Sequence, residues 1–404
     1  MTSFPVTTFP TVTETPAALT HAPATVTDDA LAWLADAAAA REVAGLHRVP
    51  VVRQPDSTMI NLASNDYLGL STHRAVIAGA HAALDDWGAG STASRLVVGT
   101  TALHIDVENE LADFLGFPAA LAFSSGYLAN VGAITALVGR GDLIVSDTGT
   151  HASLIDGCRL SRARVVVVER GDHEAVRAAL RGRTEARALV VTDSVYSIDG
   201  EPAPIAELYS AATENGATLL VDEAHAVGVR GPGGRGLIAE LGLSGAPDLV
   251  MTTVLSKSLG AQGGVVLGSD ILRSHLIDSA RTFIFDTGLN PAAVGAARAA
   301  LGLLRDDSDL PNRLRNNALR LAGALGTTPP AAAVISLIIG EPQHAVDAAT
   351  ACRERGVLVG CFRPPSVPAG TSRLRITVRA DLDEALIDHV AGVVDAALRE
   401  VGAR

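Results

Sequence analysis

The run A-T-L-L-V-D-E-A-H, residues 217–225, decides the fold. Its apolar part is too short for a helix and continuous rather than alternating. A strand of that kind is buried on both faces, as in a mainly parallel sheet between layers of helices. Six other runs share this character: A-L-A-F (120–123), D-L-I-V-S (142–146), A-R-V-V-V-V (163–168), A-L-V-V-T (188–192), D-L-V-M-T-T (248–253) and G-G-V-V-L-G (263–268). Helical patterns alternate with them from about residue 58 to 290, so the fold class is α/β with one large domain over 58–290. At L-N-P-A-A-V-G-A-A-R-A-A-L the alternation gives way to a long alanine-rich helix. Residues 291–404 therefore read as a bridging helix and a small α+β C-terminal domain. Residues 27–57 read as an N-terminal helix and arm, with Thr27 and Asp28 as its cap. Residues 1–26, rich in Thr, Pro and Ala, read as a disordered leader.

Composition narrows the functions. A net charge of −12 argues against nucleic acid or an anionic membrane surface as partner. Hydrophobic content of 48% supports a large core, yet no apolar run reaches the roughly 18–20 residues a membrane helix needs. Cys158, Cys352 and Cys361 are far apart and lack metal or redox spacing, so they read as reduced thiols of a cytoplasmic protein with no metal site.

In open α/β sheets ligands bind beyond the carboxyl ends of the strands. Ser124, Ser125, Gly126 and Tyr127 follow the first run and open a helix whose leading N–H groups suit an anion. Asp147 to His151, Asp193 to Ser197 and Asp222 to His225 follow three others. Taken singly, each aspartate reads as readily as a helix cap, and each histidine as a core side chain. Lys257, in T-T-V-L-S-K-S-L-G (252–260), changes the balance, because it is the only lysine in a chain with 32 Lys and Arg. A guanidinium stays protonated, whereas an ammonium can be desolvated, lose its proton and attack a carbonyl. It lies 35 residues beyond Asp222, one strand–helix–strand unit later. An imine-forming amine, a carboxylate for a pyridinium nitrogen, a helix-start anion site and nearby hydroxyls are the set that pyridoxal 5′-phosphate requires.

Seven ordered blocks then carry a resemblance: N-L-A-S-N-D-Y-L-G-L (61–70), G-A-G-S-T-A-S-R-L-V-V-G-T (88–100), S-S-G-Y-L-A-N (124–130), T-H-A-S-L (150–154), V-D-E-A-H-A-V-G-V (221–229), S-K-S-L-G (256–260) and R-P-P-S-V-P-A-G-T-S-R-L-R-I-T (363–377). Over residues 28–400 the chain resembles the α-oxoamine synthases, a branch of the fold-type I pyridoxal phosphate transferases. The resemblance implies that Lys257 binds the cofactor covalently and that Asp222 pairs with its ring nitrogen. It further implies that His151 stacks on the ring, and that His225 and Ser197 contact the phenolic oxygen. Ser125, Gly126 and Tyr127 would hold the phosphate. Family members commonly have Thr where this chain has Val254, which leaves open whether Thr253 or Ser256 supplies the missing hydroxyl. Thr287 resembles a residue that reaches the phosphate of the other subunit, implying a homodimer with shared sites. Asn65 and Arg375 would bind the amino-acid carboxylate, with Arg375 on a strand where Arg373, Arg375, Thr377 and Arg379 share one face. Arg363, in R-P-P, would take the distal carboxylate of a pimeloyl thioester, with L-alanine as the amino acid. The rivals are an α-oxoamine synthase for glycine or serine and a non-catalytic cofactor-binding protein.

Overall fold

The structure is a computed structural model and describes residues 30–403. The stretch read as a leader and the expected Thr27–Asp28 cap lie outside the described residues. The chain divides into two units at residues 52 and 53. In the first, helix α1 (Trp33–Val43) covers much of the predicted helical stretch and buries none of its residues.

Among its described residues the second unit contains eleven strands: β1 (Ile60–Leu62), β2 (Ala119–Phe123), β3 (Leu143–Asp147), β4 (Arg164–Val168), β5 (Ala188–Asp193), β6 (Thr218–Asp222), β7 (Leu249–Val254), β8 (Gly264–Gly268), β9 (Val334–Gly340), β10 (Val357–Phe362) and β11 (Ser372–Thr377). The seven predicted runs become β2 to β8 and form one sheet in the order β2-β8-β7-β6-β5-β3-β4. All pairs from β7 to β4 are parallel, and β8 is antiparallel to both its neighbours. Every residue of β2, β3, β5 and β8 is buried, as continuous apolar runs require. The valine run of β4 departs from this: as the edge strand it leaves Val165 and Val167 exposed.

Helices α2 (Arg74–Trp87), α3 (Ala102–Leu115), α4 (Gly126–Leu137) and α5 (Ala152–Ser161) follow in chain order. Leu189, Val191, Leu220 and Val250 face Ala129 and Ile134 of α4 and Leu154 of α5 in one core. Val190, Leu219, Val221 and Met251 point the opposite way into the other core. Each such side chain contributes roughly 1.5–3 kcal/mol on burial. This alternation also fixes which strand-end residues face α4 and α5.

The alanine-rich helix is Pro291–Asp306, with Asn290 capping it through the Ala292 N–H at 2.8 Å. It lies against α2 at a glycine contact so close that a Cβ on Gly79 would sit 2.7 Å from the Gly295 carbonyl. A four-stranded sheet, β1-β10-β11-β9, completes the unit. Its outer strand β1 comes from the stretch read as the start of the large domain, but pairs in parallel with β10, Ile60 opposite Val357.

Candidate active site

Parallel pairing brings the ends of β5, β6 and β7 side by side, with Asp193 directly opposite Asp222. Asp222 Oδ2 accepts from Asn130 Nδ2 at 2.6 Å, and Oδ1 from the Ala224 N–H at 2.8 Å. Both carboxylates are buried. Burial, reinforced by Asp222, pushes the Asp193 carboxyl well above the usual carboxylate range. Asp193 Oδ2 accepts the backbone N–H of His151 at 2.8 Å and so pins the start of α5. The His151 ring, held by Ser153 Oγ at 2.7 Å from Nδ1, has its pKa lowered by burial.

Lys257 stands in the β7–β8 connection, whose turn closes at Gly260 (φ +59°), where a Cβ would lie 2.5 Å from Ser71 N. Its Nζ is 2.9 Å from His225 Nε2, and His225 Nδ1 is 2.5 Å from the Tyr67 hydroxyl. Burial raises the Tyr67 pKa, so the phenol keeps its proton. Burial, then Lys257 and Arg375, holds His225 well below its usual pKa, so the ring is neutral. A phenol that donates to Nδ1 leaves the ring proton on Nε2, facing the amine. That direction of donation needs a lone pair on Nζ. Burial lowers Lys257 from 10.5 to about 8, against the opposing pull of Asp222 and Asp193.

A test uses the protein without cofactor and lysine labelled with 13C at Cε, which gives a single resonance because there is one lysine. Its titration is expected to have a midpoint at about pH 8. Below that pH the folded state bears the full cost of the buried ammonium. Between there and the free-lysine value the unfolded chain binds more protons, so stability rises with pH. Tyr67→Phe removes the donor to Nδ1, lets Nε2 accept from an ammonium, and is expected to move the midpoint upward. A midpoint near the free-lysine value, or one indifferent to Tyr67→Phe, contradicts this reading.

A cavity of about 240 Å³ lies over these groups, lined by Asp222, His151, His225, Lys257 and Asn130 at one end and by Ser125, Gly126, Tyr127, Val254 and Ser256 at the other. The second end fits a phosphate. Ser125 caps α4 through the Leu128 N–H at 3.2 Å, while the Gly126 and Tyr127 N–H groups have no acceptor among the described residues. The backbone there is drawn tight: a Cβ on Gly126 would lie 2.1 Å from Val254 Cγ1. At the first end, an unpartnered Asn130 Oδ1 lies beside Asp222. The cavity thus presents an amine, an acid and an anion site to a flat charged ring, and its residues fit pyridoxal phosphate.

A second cavity, about 630 Å³, shares His151, His225 and Lys257 with the first and extends past Asn65, Ser197 and Arg375. Arg375 is 3% exposed. It donates from Nε to the Ser197 carbonyl at 2.8 Å, and from Nη1 to Asn65 Oδ1 at 2.9 Å and Thr377 Oγ1 at 3.1 Å. Its Nη2 is buried and unpartnered. Leaving such a donor unmet costs about 1–3 kcal/mol, which a bound carboxylate relieves.

The aminotransferase class I and II family matches residues 57–394. An 8-amino-7-oxononanoate synthase of Mycolicibacterium vanbaalenii is 60% identical over 355 residues, 88% of this chain and 93% of that protein. The Mycobacterium tuberculosis synthase of the same name is 60% identical over 361 residues, 89% and 93% of the two chains. The chain belongs to the α-oxoamine synthases, among the 8-amino-7-oxononanoate synthases. Solved structures share the backbone. A Sphingomonas wittichii serine palmitoyltransferase has a TM-score of 0.87 at 32% identity, covering 93% of this chain and 99% of that one. The Francisella tularensis 8-amino-7-oxononanoate synthase has a TM-score of 0.72 at 26% identity, covering 85% and 98%. Backbone likeness therefore does not separate the branches of the α-oxoamine synthases, and sequence identity does.

Not all of the expected site residues line the two cavities of the single chain. Thr253 does not line the small cavity: alternation along β7 puts it on the face opposite Val254, where it is buried, whereas Ser256 beyond the strand end does line it. Ser197 lines the larger cavity, and its carbonyl is engaged by Arg375. Tyr127 is partly exposed, with its hydroxyl on Asp156, which leaves its backbone N–H at the helix start. Thr287 forms an isolated bridge with Ser94 and lines neither cavity of its own chain. Arg363 lines neither cavity, although Phe362 and Pro365 on either side of it line the larger one. Tyr67, Asn130 and Asp193 had no individual role in the sequence reading. Asn130 had a usable signal, since it falls four residues after Gly126 and so on the same helix face.

Proposed function

We propose that the chain joins L-alanine to the thioester carbonyl of pimeloyl-CoA, or of a pimeloyl carrier protein, with loss of CO2 to give 8-amino-7-oxononanoate for biotin synthesis. The observation that carries the reading is the enclosure of the only lysine between His225 and the Asp222 strand end, beside a buried arginine with an unmet donor. Pyridoxal phosphate, when bound, supplies the electron sink for the carbanion at the alanine Cα.

The protein's own groups do the rest. Arg375, with Asn65 behind it, binds the alanine carboxylate through Nη2. Asp222, held in place by Asn130, would keep a proton on the ring nitrogen. With the cofactor bound, His225 would offer its Nε2 proton to the phenolic oxygen and His151 would cover the ring. Lys257 Nζ, its pKa lowered to about 8 by burial, takes the α-proton. Ser125, Ser256 and the N–H groups of Gly126 and Tyr127 hold the phosphate. The reading includes a cytoplasmic homodimer. Leu96, Val97, Val98 and Phe285 are large apolar side chains left exposed in the single chain, near the Ser94–Thr287 bridge in sequence. A covered face there, with Thr287 reaching a partner's phosphate site, accounts for them. Cys158, Cys352 and Cys361 are unpaired thiols, as the cytoplasm favours.

The first experiment is to load the protein with cofactor and titrate it with L-alanine while recording the visible spectrum. The expected result is a band that shifts on adding alanine, with product once pimeloyl-CoA is present. Arg375→Gln is expected to raise the half-saturating alanine concentration about 10- to 150-fold, the worth of a lost charge-assisted contact. Equal or better turnover of serine or glycine sinks the alanine assignment. A spectrum that does not respond to any amino acid sinks the enzyme reading.

A further inference from the structure

The larger cavity carries more positive charge than one alanine carboxylate uses. Besides Arg375 it is lined by Arg170, Asp199 and Arg373. Arg170 pairs with Asp199 at 2.6 Å and stacks over Tyr196, its Cζ 4.6 Å from the ring centroid. Arg373, 9% exposed, has no carboxylate partner among the described residues. Its Nε donates to the Thr371 carbonyl at 3.0 Å and its Nη1 to Ser336 Oγ at 3.4 Å. Desolvation lowers its pKa, with Asp199 opposing and Arg170 assisting, as expected of a buried cation that is incompletely neutralised. One aspartate among these two arginines leaves one unit of positive charge on the cavity wall.

The setting of that charge is specific. Arg373 and Arg375 share a face of β11, two residues and so about 6.6 Å apart along the strand, a span that a medium-length acyl chain bridges. Phe362, which also lines the cavity, is the cross-strand partner of Arg373. Val367 and Ile155 add apolar wall. A cavity that holds Arg375, a second guanidinium without a carboxylate partner and apolar wall from Phe362, Val367 and Ile155 suits a chain of methylenes ending in an anion.

We propose that Arg373, with Arg170 and Asp199 tuning its charge, is the subsite for the distal carboxylate of the acyl thioester, in place of Arg363. This rests on the functional reading above and names the residue that makes it specific for a dicarboxylic donor.

The test measures kcat/KM in the holoenzyme, at saturating L-alanine, for pimeloyl-CoA and for heptanoyl-CoA, which lacks the terminal carboxylate. In Arg373→Gln the pimeloyl-to-heptanoyl ratio is expected to fall about 10- to 100-fold. In Asp199→Asn, which removes the competing anion, the ratio is expected to rise severalfold, a direction that poor folding does not produce. Arg373→Lys, which keeps the charge and loses the fork, is expected to fall between wild type and Arg373→Gln. An unchanged ratio in Arg373→Gln overturns the proposal. So does a fall confined to Arg363→Gln, or a loss in Arg373→Gln matched by an equal rise in the alanine requirement, which would trace the effect to Arg375. If Arg373→Gln does not fold, an unchanged or lowered ratio in Asp199→Asn overturns it. A wild type that makes no product from pimeloyl-CoA sinks the functional reading and this proposal together. A working wild type whose ratio ignores these substitutions sinks this one alone.

Discussion

Lys257→Arg is expected to abolish turnover, with a loss in kcat on the order of 10⁴ or more, since both covalent attachment of the cofactor and proton transfer at one atom disappear together. The substitution keeps a cation beside His225, so a purely structural role for the lysine predicts a folded, active variant. The mechanism predicts a folded, inactive one. A guanidinium cannot reach a neutral state at a pH the protein survives, and its planar fork cannot accept the Nε2 proton of His225 as Nζ does at 2.9 Å. The measurement pairs product formation with the visible spectrum: cofactor added to Lys257→Arg is expected to show the absorbance of the free aldehyde and to leave on gel filtration. Residual turnover within about a hundredfold of wild type rules out Lys257 as the α-proton base.

Asp222→Asn is expected to have the second largest effect, a fall in kcat on the order of 10² to 10⁴. The variant is nearly isosteric, which separates charge from packing. The carboxylate accepts two bonds, from Asn130 Nδ2 and from the Ala224 N–H. An amide oxygen can meet only one of them, so the NH2 group faces a donor at the other, at a cost of about 1–3 kcal/mol. The larger loss is chemical: a neutral amide no longer favours a proton on the ring nitrogen, and the carbanion loses its sink. The comparison that decides is rate against stability. A cofactor-free melting temperature lowered by no more than the few degrees that this cost implies, together with the fall in kcat, is the expected pattern. Full activity would return Asp222 to the role of a turn ligand for the Ala224 N–H.

The strands were legible because a parallel sheet covered on both faces demands continuous apolar runs, and seven such runs became β2 to β8. The same rule misread β4, since a valine run does not announce whether a strand is central or at an edge. Lys257, Asp222, His151 and His225 were legible as polar residues placed just past apolar runs, and they converge on one cavity. Thr253 and Ser256 stayed open as alternatives for want of facing: adjacency to Val254 in sequence means opposition across the sheet. Arg363 drew attention through its motif, whereas Arg373 looked like one more arginine on an alternating strand. Only the cavity distinguishes them. Tyr67 gave no chemical signal, because its role depends on a 158-residue separation in sequence closing to a single hydrogen bond with His225.

The seclusion of Lys257 has a consequence for handling activated acyl groups. Thioesters acylate free amines without help, and a protein that meets them continually is exposed to slow self-modification. Here every other residue in the Lys and Arg total is an arginine, and the one ε-amine lines both cavities described above. The outer surface therefore offers a stray acyl donor no lysine to consume it. Basic charge is spread over the molecule as arginine, and amine nucleophilicity among the side chains is confined to the one place where it is wanted.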